Sequence, residues 1–201
     1  QESFDVTVTR GNIPLLSVRS VIEDDDIGYI RINRFLGTTG KSLENEITSL
    51  KEEAAENDVE LAGYILDLRN NPGGNLNQSI VVADAFLEQG EIVSVRNRNS
   101  EDDASYFAKA GDLIDGKPLV VLINGGSASA SEIVAGALQD HQRGILLGTP
   151  TFGKGSVQTL IGLGDQGGLR LTTARYYTPS GDSIQAKGIE PDILVELAKL
   201  E

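Results

Sequence analysis

The chain has 201 residues, 39% of them hydrophobic and 23% charged, which suits one globular domain or one domain and a fragment. Thirty acidic residues against 17 basic ones give a formal net charge of −13, which disfavours nucleic acid and anionic membrane surfaces as partners. The lack of cysteine and the single histidine exclude disulfides and a thiol nucleophile and argue against an ordinary zinc site.

Hydrophobic periodicity divides the chain into strands and helices. The predicted strands are residues 3–9, 27–34, 62–68, 91–97, 118–124, 144–149, 156–163 and 168–177, and residues 12–22 are expected to be extended. Helices are predicted over residues 41–57, 76–88 and about 130–142, and residues 98–116 form a polar, irregular excursion. The alternation favours an α/β fold with a mostly central sheet. No apolar run approaches the roughly 18 residues that span a bilayer, so no transmembrane segment is expected.

Ser129, in the segment GGSASASE, stands between a predicted buried strand and a predicted helix. The two preceding glycines would let a substrate backbone approach closely. Free N–H groups at the start of the helix, with that of Ala130 as the natural donor, could stabilise an oxyanion. Ser129 and Glu132 also match the capping box Ser-x-x-Glu, so the serine could simply cap the helix. The two interpretations are compatible.

A serine hydroxyl becomes a good nucleophile only when a neighbouring base removes its proton. His141 follows Ser129 by about twelve residues on one predicted helix, which separates them by roughly 18 Å, and we interpret it as a surface or helix-end residue. Lys154, in FGKGSVQ, is the best remaining base. Lysine acts as a base only when uncharged, so we expect burial beside apolar groups such as Phe152. A solvated loop lysine between two glycines is the alternative.

Two further segments complete the predicted site. If residues 154–158 are extended, Gln158 projects to the same face as Lys154, and its carbonyl oxygen could hold the amine without adding charge. The loop over residues 70–74 (NNPGG) follows a buried strand, as Ser129 does, so in a parallel sheet both would lie at the carboxyl edge. Glycine amides of that loop could donate to an oxyanion, although a plain tight turn also explains them.

Three other features have a plain structural interpretation beside a functional one. The acidic runs over residues 23–26 and 101–103 lack EF-hand spacing and are interpreted as solvated turns. The strand that ends at residues 175–177 (RYY) could pair with an extended peptide, although sheet packing also explains it.

Five ordered segments resemble the carboxyl-terminal processing peptidases, also called tail-specific proteases, over about residues 17–194. They are GYIRI (28–32), LDLRNNPGG (66–74), NGGSASASEIVAGALQD (124–140), FGKGSVQ (152–158) and LRLTTARYYTPSGDSIQAKGIEPDI (169–193). The resemblance implies an α/β fold with a ClpP/crotonase-like core, in which helices flank a central β-sheet. It also implies a serine endopeptidase that cleaves protein substrates near their C-termini through an acyl-enzyme intermediate, without a metal or nucleotide cofactor.

The resemblance also assigns roles by motif position. The nucleophile falls on Ser129, the general base on Lys154 and the group that positions the lysine on Gln158. The oxyanion donors fall on the amide of Ala130 and on a glycine of the PGG turn, for which Gly74 is preferred over Gly73.

The same resemblance suggests how the chain is organised. Residues 1–16 would be the last strand of a PDZ domain and its connecting segment, residues 17–194 the peptidase core and residues 195–201 a C-terminal tail. The carboxylate-binding part of a PDZ domain is missing, so the way in which substrates are captured stays open. The expected partners are unfolded proteins or peptides with apolar C-termini, and self-association into a homo-oligomer stays open. The family is typical of the bacterial periplasm or cell envelope.

Two other functions remain as alternatives to the peptidase. A non-catalytic domain of the same fold could bind peptides or lipophilic ligands, although such a module would need no combination of Ser129, Lys154 and Gln158. Acyl-CoA chemistry is a weaker alternative, since it depends on fold analogy alone.

Overall fold

The computed structural model describes residue 4, residues 6–7 and residues 15–196. The predicted strand over residues 3–9 and the start of the extended segment over 12–22 therefore lie largely outside the described residues. The strands, in chain order, are β1 (Val18–Glu23), β2 (Ile27–Ile32), β3 (Gly63–Asp67), β4 (Glu91–Asn97), β5 (Ala104–Phe107), β6 (Leu119–Ile123), β7 (Ile145–Gly148), β8 (Ser156–Gly162), β9 (Gly168–Tyr177) and β10 (Ile193–Leu194). The helices are α1 (Thr39–Glu56), α2 (Leu76–Asp84) and α3 (Ala130–Asp140), with 3-10 turns over Ser100–Asp102 and Gly164–Gln166.

The larger sheet has the strand order β1-β2-β3-β6-β7-β10. β1 pairs antiparallel with β2, and the other neighbours pair parallel. Because β3 and β6 are parallel neighbours, the loop over residues 70–74 and the segment that carries Ser129 leave the sheet at the same edge. The predicted α/β class, with a central sheet flanked by helices, is confirmed.

A second sheet was not predicted from the sequence. It is antiparallel, with the order β5-β4-β9-β8, and its edge strand β5 lies inside the segment that was expected to be irregular. Helix α3 packs against β4 of this sheet and against β7 of the larger one, so it lies between the two sheets. The first residues of α3, Ala130, Ser131 and Glu132, are buried.

The hydrophobic pattern correctly placed the buried face of α1, where Leu43, Ile47, Leu50 and Ala54 are all buried. Helix α2 ends at Asp84, whereas the pattern predicted a helix as far as residue 88. The difference arises because Phe86 and Leu87, which follow the helix, are also buried in the core, so the apolar periodicity continues beyond the last helical residue.

The acidic run over residues 23–26 forms the turn between β1 and β2, where Asp24 and Asp25 adopt φ values of 49° and 70°. This agrees with the predicted solvated turn. Among the described residues, no helix combines the length and the apolar character that crossing a bilayer requires.

Candidate active site

Ser129 is the N-cap residue of α3 and has a rare backbone conformation, with φ of 57° and ψ of −111°. A positive φ is strained for a residue with a side chain, and such strain is concentrated at functional sites. Ser127 and Ser131 on either side are fully buried and donate their hydroxyls to the carbonyl oxygens of Leu68 and Asn71. Ser129 is the partly exposed serine of the three.

Glu132 has a larger role than the capping box predicted. Its carboxylate accepts the amide of Ser129 at 2.6 Å, as a capping-box glutamate does. The same oxygen, Oε2, accepts the amide of Lys154 at 2.9 Å. The other oxygen accepts the amide of Gly153 and the hydroxyl of Thr151, both at 2.6 Å. One fully buried carboxylate thus joins the backbone of Ser129 to the segment that carries Lys154.

The loop after β3 lies directly against Ser129. Asn71 is fully buried, and its carbonyl oxygen accepts the Ala128 amide at 3.0 Å. A Cβ added to Gly73 would lie 2.6 Å from the Ala128 carbonyl oxygen and 2.9 Å from both the Ala130 amide nitrogen and Ser129 Cβ. Only a glycine, here at φ of 94°, lets the two segments approach so closely.

The bonding of this loop favours Gly74 over Gly73 as an oxyanion donor. The Gly73 amide already donates to the side chain of Asn71 at 2.9 Å. Gly74 forms a parallel β-bridge with Phe35. In this bridge the Gly73 carbonyl oxygen accepts the Phe35 amide and the Asn75 amide donates to the Phe35 carbonyl oxygen, so the Gly74 N–H points away from Phe35. Among residues 15–196, neither the Gly74 amide nor the Ala130 amide has a hydrogen-bond acceptor.

Lys154 does not have the buried setting that the sequence predicted. Its side chain is exposed, and Phe152, the expected apolar neighbour, is 67% exposed. Strand β8 begins only at Ser156, so Lys154 precedes the strand and Gln158 lies on it, also exposed. Within the described part of the chain, no hydrogen bond joins the side chains of Ser129, Lys154 and Gln158. The expectation of burial was wrong: Lys154 and Phe152 are both exposed, so Phe152 does not bury the lysine.

The backbone around Lys154 is nevertheless held on several sides. The Phe152 amide donates to the Ser127 carbonyl at 3.0 Å, and the Gly153 carbonyl accepts the Ala186 amide at 2.8 Å. On the C-terminal side, the Gly155 amide donates to the side chain of Gln185 at 3.2 Å. These hydrogen bonds hold the backbone of residues 152–155 next to the start of α3, while the Lys154 side chain is exposed to solvent.

A buried aspartate lies under the carboxyl edge of β3. Asp67 is fully buried and accepts hydrogen bonds from Arg69, Arg31 and Tyr29 at 2.6–3.1 Å. Burial alone would raise the pKa of Asp67, but the hydrogen bonds from Arg69 and Tyr29 outweigh it and hold that pKa below its ordinary value. This cluster anchors the strand end from which the loop over residues 70–74 emerges.

We expect Asp67→Asn to lower the free energy of unfolding at neutral pH by about 1–3 kcal/mol, because charge-assisted hydrogen bonds to Arg69 are lost. The folded-state pKa of Asp67 lies below its unfolded value, so its contribution is complete above the ordinary value of 3.8 and is lost as the pH falls through the lowered folded-state value. Urea unfolding between about pH 7 and about pH 2 measures this. The difference between wild type and variant should shrink in acid, and Asp165→Asn on the exposed β8–β9 turn should change nothing. A difference that stays constant with pH would contradict the prediction.

His141 confirms its interpretation as a helix-end residue. It is the C-cap of α3, at the opposite end from Ser129, and its Nε2 lies 2.7 Å from the carbonyl oxygen of Glu91. It therefore ties α3 to β4 and takes no part in the site.

Sequence reasoning missed two contributors to the site. Glu132 was considered only as a helix cap, and its contacts with residues 151–154 depend on tertiary packing that has no local signal. The partners of Asp67 were also missed, although the sequence places Arg69 two residues after Asp67 at the end of a predicted buried strand.

The sequence also matches the model of a known protein family over the residues that build this site. The model of peptidase family S41 matches residues 26–195, which is most of the chain. The chain belongs to peptidase family S41. The segments that build the site, residues 70–74, 129–132 and 152–158, all fall inside the matched range of this S41 chain.

Relatives of the S41 chain include processing proteases. A carboxy-terminal-processing protease of Bartonella bacilliformis is 56% identical over 193 residues, which cover 96% of this chain and 44% of the relative. The carboxy-terminal processing protease CtpA of Bacillus subtilis is 39% identical over 196 residues, which cover 97% of this chain and 40% of the relative. Among solved structures, a photosystem II D1 C-terminal processing protease matches with a TM-score of 0.80 and 33% identity, over 92% of this chain and 49% of that chain. The S41 chain thus spans less than half the length of these proteins.

Proposed function

We propose that this S41 chain is the catalytic core of a serine endopeptidase that cleaves proteins near their C-termini, with Ser129 as nucleophile and Lys154 as general base. The observation that carries the proposal is the double contact of Glu132, whose single oxygen Oε2 holds the amides of both Ser129 and Lys154. A non-catalytic peptide-binding domain has no need for a buried carboxylate that couples these two residues. Membership of a peptidase family and the names of the relatives support the same reaction class.

In the proposed reaction, Lys154 carries the proton of the Ser129 hydroxyl to the leaving amine. Uncharged Lys154 takes the proton of the Ser129 hydroxyl while Oγ bonds to the carbonyl carbon of the peptide. The negative charge that develops on the carbonyl oxygen is stabilised by the N–H groups of Gly74 and Ala130. The lysine then gives its proton to the nitrogen of the leaving amine as the C–N bond breaks, and an acyl-enzyme remains. Finally Lys154 takes a proton from a water molecule whose oxygen attacks the acyl carbon, and it returns that proton to Ser129 Oγ as the ester bond breaks and the new C-terminus is released.

Substrate binding has a further role in this proposal, because Lys154 is exposed in the free chain. An extended peptide that lies across residues 70–74 and 129 would exclude water from the lysine and favour its uncharged form. Gln158 would then orient the amine through its carbonyl oxygen. The substrates proposed are unfolded proteins or peptides with apolar C-termini, in an extracytoplasmic bacterial setting.

Covalent labelling tests the nucleophile. We expect a serine-reactive fluorophosphonate to label the wild-type chain at one residue and Ser129→Ala not at all, because the remaining serines of that segment are buried and hydrogen-bonded. Intact mass and peptide mapping measure the labelled position. Ser100→Ala, at an exposed serine far from the site in the chain, should label like wild type. Label that persists in Ser129→Ala would contradict the proposal, and a wild-type chain that stays unlabelled and also leaves an unfolded protein substrate uncut would favour a binding domain.

A further inference from the structure

Two arginines stand directly opposite each other on the second sheet. Arg96 on β4 is paired in register with Arg175 on β9, and both residues are exposed. Residues opposite each other in an antiparallel pair project from the same face of the sheet, and like charges in such a pair are destabilising. In the part of the chain that the structure describes, neither guanidinium group forms an ion pair with a carboxylate. The pair therefore concentrates positive charge that no acidic side chain balances.

The arginine pair contrasts with the charge of the whole chain. Thirty acidic residues outnumber 17 basic ones, and within the described ranges seven of the basic residues form ion pairs. Glu91 and Asp103 line a cavity on the β5 side of Arg96, yet neither carboxylate pairs with it. A chain with this net charge repels anions over most of its surface. An anion that approaches the second sheet is attracted at Arg96 and Arg175.

Tyr177 orients the first of these arginines. The Arg96 guanidinium lies 4.1 Å from the centroid of the Tyr177 ring, a cation–π contact. The contact uses one face of the planar guanidinium, so the N–H groups at its edge stay available for a bidentate bond to a carboxylate. The Cα atoms of directly opposite residues are about 4.5–5.5 Å apart, so Arg96 and Arg175 can both reach the same carboxylate.

The arginine pair also lies close to the segment that carries Lys154. Arg175 is directly opposite Ser156, the first residue of β8, and the Tyr176 amide donates to the Gly155 carbonyl oxygen at 2.8 Å. Lys154 stands two residues before Ser156, and a strand advances about 3.3 Å for each residue while neighbouring strands lie about 4.8 Å apart. The pair is therefore roughly 10 Å from the candidate base, which is the length of about three extended residues.

We propose that Arg96 and Arg175 bind the C-terminal carboxylate of the polypeptide substrate. This inference rests on the proposed peptidase function and adds the groups by which the core selects chain ends. The substrates proposed above are apolar near their C-termini, so the terminal carboxylate is the charge that they share. A carboxylate held by the pair places the peptide bond that is cut about three residues from the chain end.

A labelled decapeptide with an apolar C-terminal half, prepared as the free acid and as the C-terminal amide, tests the pair. Ser129→Ala, which under the proposed mechanism cannot cut the peptide, serves as the background, and fluorescence anisotropy measures the dissociation constants. We expect the acid to bind about 3- to 10-fold more tightly than the amide, the effect of one or two exposed charge pairs. With Arg96→Gln and Arg175→Gln added, the two peptides should bind equally. Arg19→Gln, which removes an exposed arginine of β1, should keep the preference.

Cleavage of the same two peptides separates this inference from the proposed function. We expect the wild-type chain to cut the acid with a lower KM than the amide and with the same kcat, because the pair binds the chain end and takes no part in proton transfer. A chain that prefers the acid in binding but cuts neither peptide would contradict the peptidase and still support the carboxylate site.

Three outcomes would overturn the inference. Equal binding of acid and amide by Ser129→Ala would show that no group holds the terminal carboxylate. A preference for the acid that survives the loss of both arginines would place the carboxylate elsewhere. Inorganic phosphate that displaces the labelled acid at a lower concentration than the unlabelled acid does would indicate a general anion site.

Urea unfolding shows whether a loss of binding comes from a damaged fold. Arg175→Gln should be at least as stable as wild type, because it removes one member of a repulsive pair. A variant that is less stable than wild type would mean that the two arginines have a structural role, and the assignment to a substrate carboxylate would fail.

Discussion

Replacement of Lys154 by arginine is expected to lower kcat for peptide hydrolysis by about 100- to 10,000-fold, the contribution typical of a positioned general base. Guanidinium stays protonated in proteins and cannot take a proton from Ser129. Arginine preserves the positive charge and most of the length of the side chain, and the Lys154 amide would still donate to Glu132. The loss would therefore report proton transfer rather than folding.

The measurement is the cleavage rate of an unfolded protein substrate, with products identified by mass spectrometry. Lys41→Arg is the matched control, because Lys41 is an exposed lysine on α1 whose ion-pair partner among the described residues is Glu44. It should leave both rate and cleavage positions unchanged. Wild-type turnover in Lys154→Arg would show that another group activates Ser129, and the assignment of the base would have to be abandoned.

Glu132→Gln is expected to impair both stability and reactivity. Four donors converge on this carboxylate, the amides of Ser129, Gly153 and Lys154 and the hydroxyl of Thr151. In glutamine, the NH₂ group replaces one oxygen and faces two of these donors. At about 1–3 kcal/mol for each buried donor left unpaired, the variant should lose about 2–6 kcal/mol of unfolding free energy.

Urea unfolding measures the stability of the variant, and fluorophosphonate labelling of its folded fraction measures reactivity. We expect labelling to slow even where the chain is fully folded, because the backbones of Ser129 and Lys154 are no longer held by one atom. Glu53→Gln, at an exposed position of α1, controls for the loss of a charge. Wild-type stability in Glu132→Gln would mean that the four hydrogen bonds contribute little. Wild-type labelling would mean that Glu132 does not position the nucleophile.

Local patterns were sufficient to predict the elements that place the site. The uninterrupted apolar runs of β3 and β6 indicated buried parallel strands, and this correctly placed residues 70–74 and Ser129 at one edge of the sheet. The spacing of apolar residues in α1 identified its buried face. Each of these signals is carried by residues close together in the chain, which is why the sequence alone reveals them.

Strands β4 and β9 were predicted, but their pairing into a second sheet was not, because it joins segments that are distant in the chain. Strand β4 joins β9, about eighty positions later, to form the second sheet, and no local pattern specifies that partner. Strand β10 has two residues, too few for any periodicity. The exposure of Lys154 was missed because Phe152 suggested an apolar environment, although a single aromatic residue does not determine which way it points.

The backbone of Ser129 also has a consequence for the evolution of the chain. A φ of 57° costs a residue with a Cβ about 1–3 kcal/mol, whereas glycine adopts it freely. Under the proposed mechanism, Ser129→Gly should therefore yield an inactive protein that melts at a higher temperature than the wild type. A descendant of this chain under no selection for the proposed activity would gain thermal stability from this one mutation, so activity and stability place opposite demands on position 129.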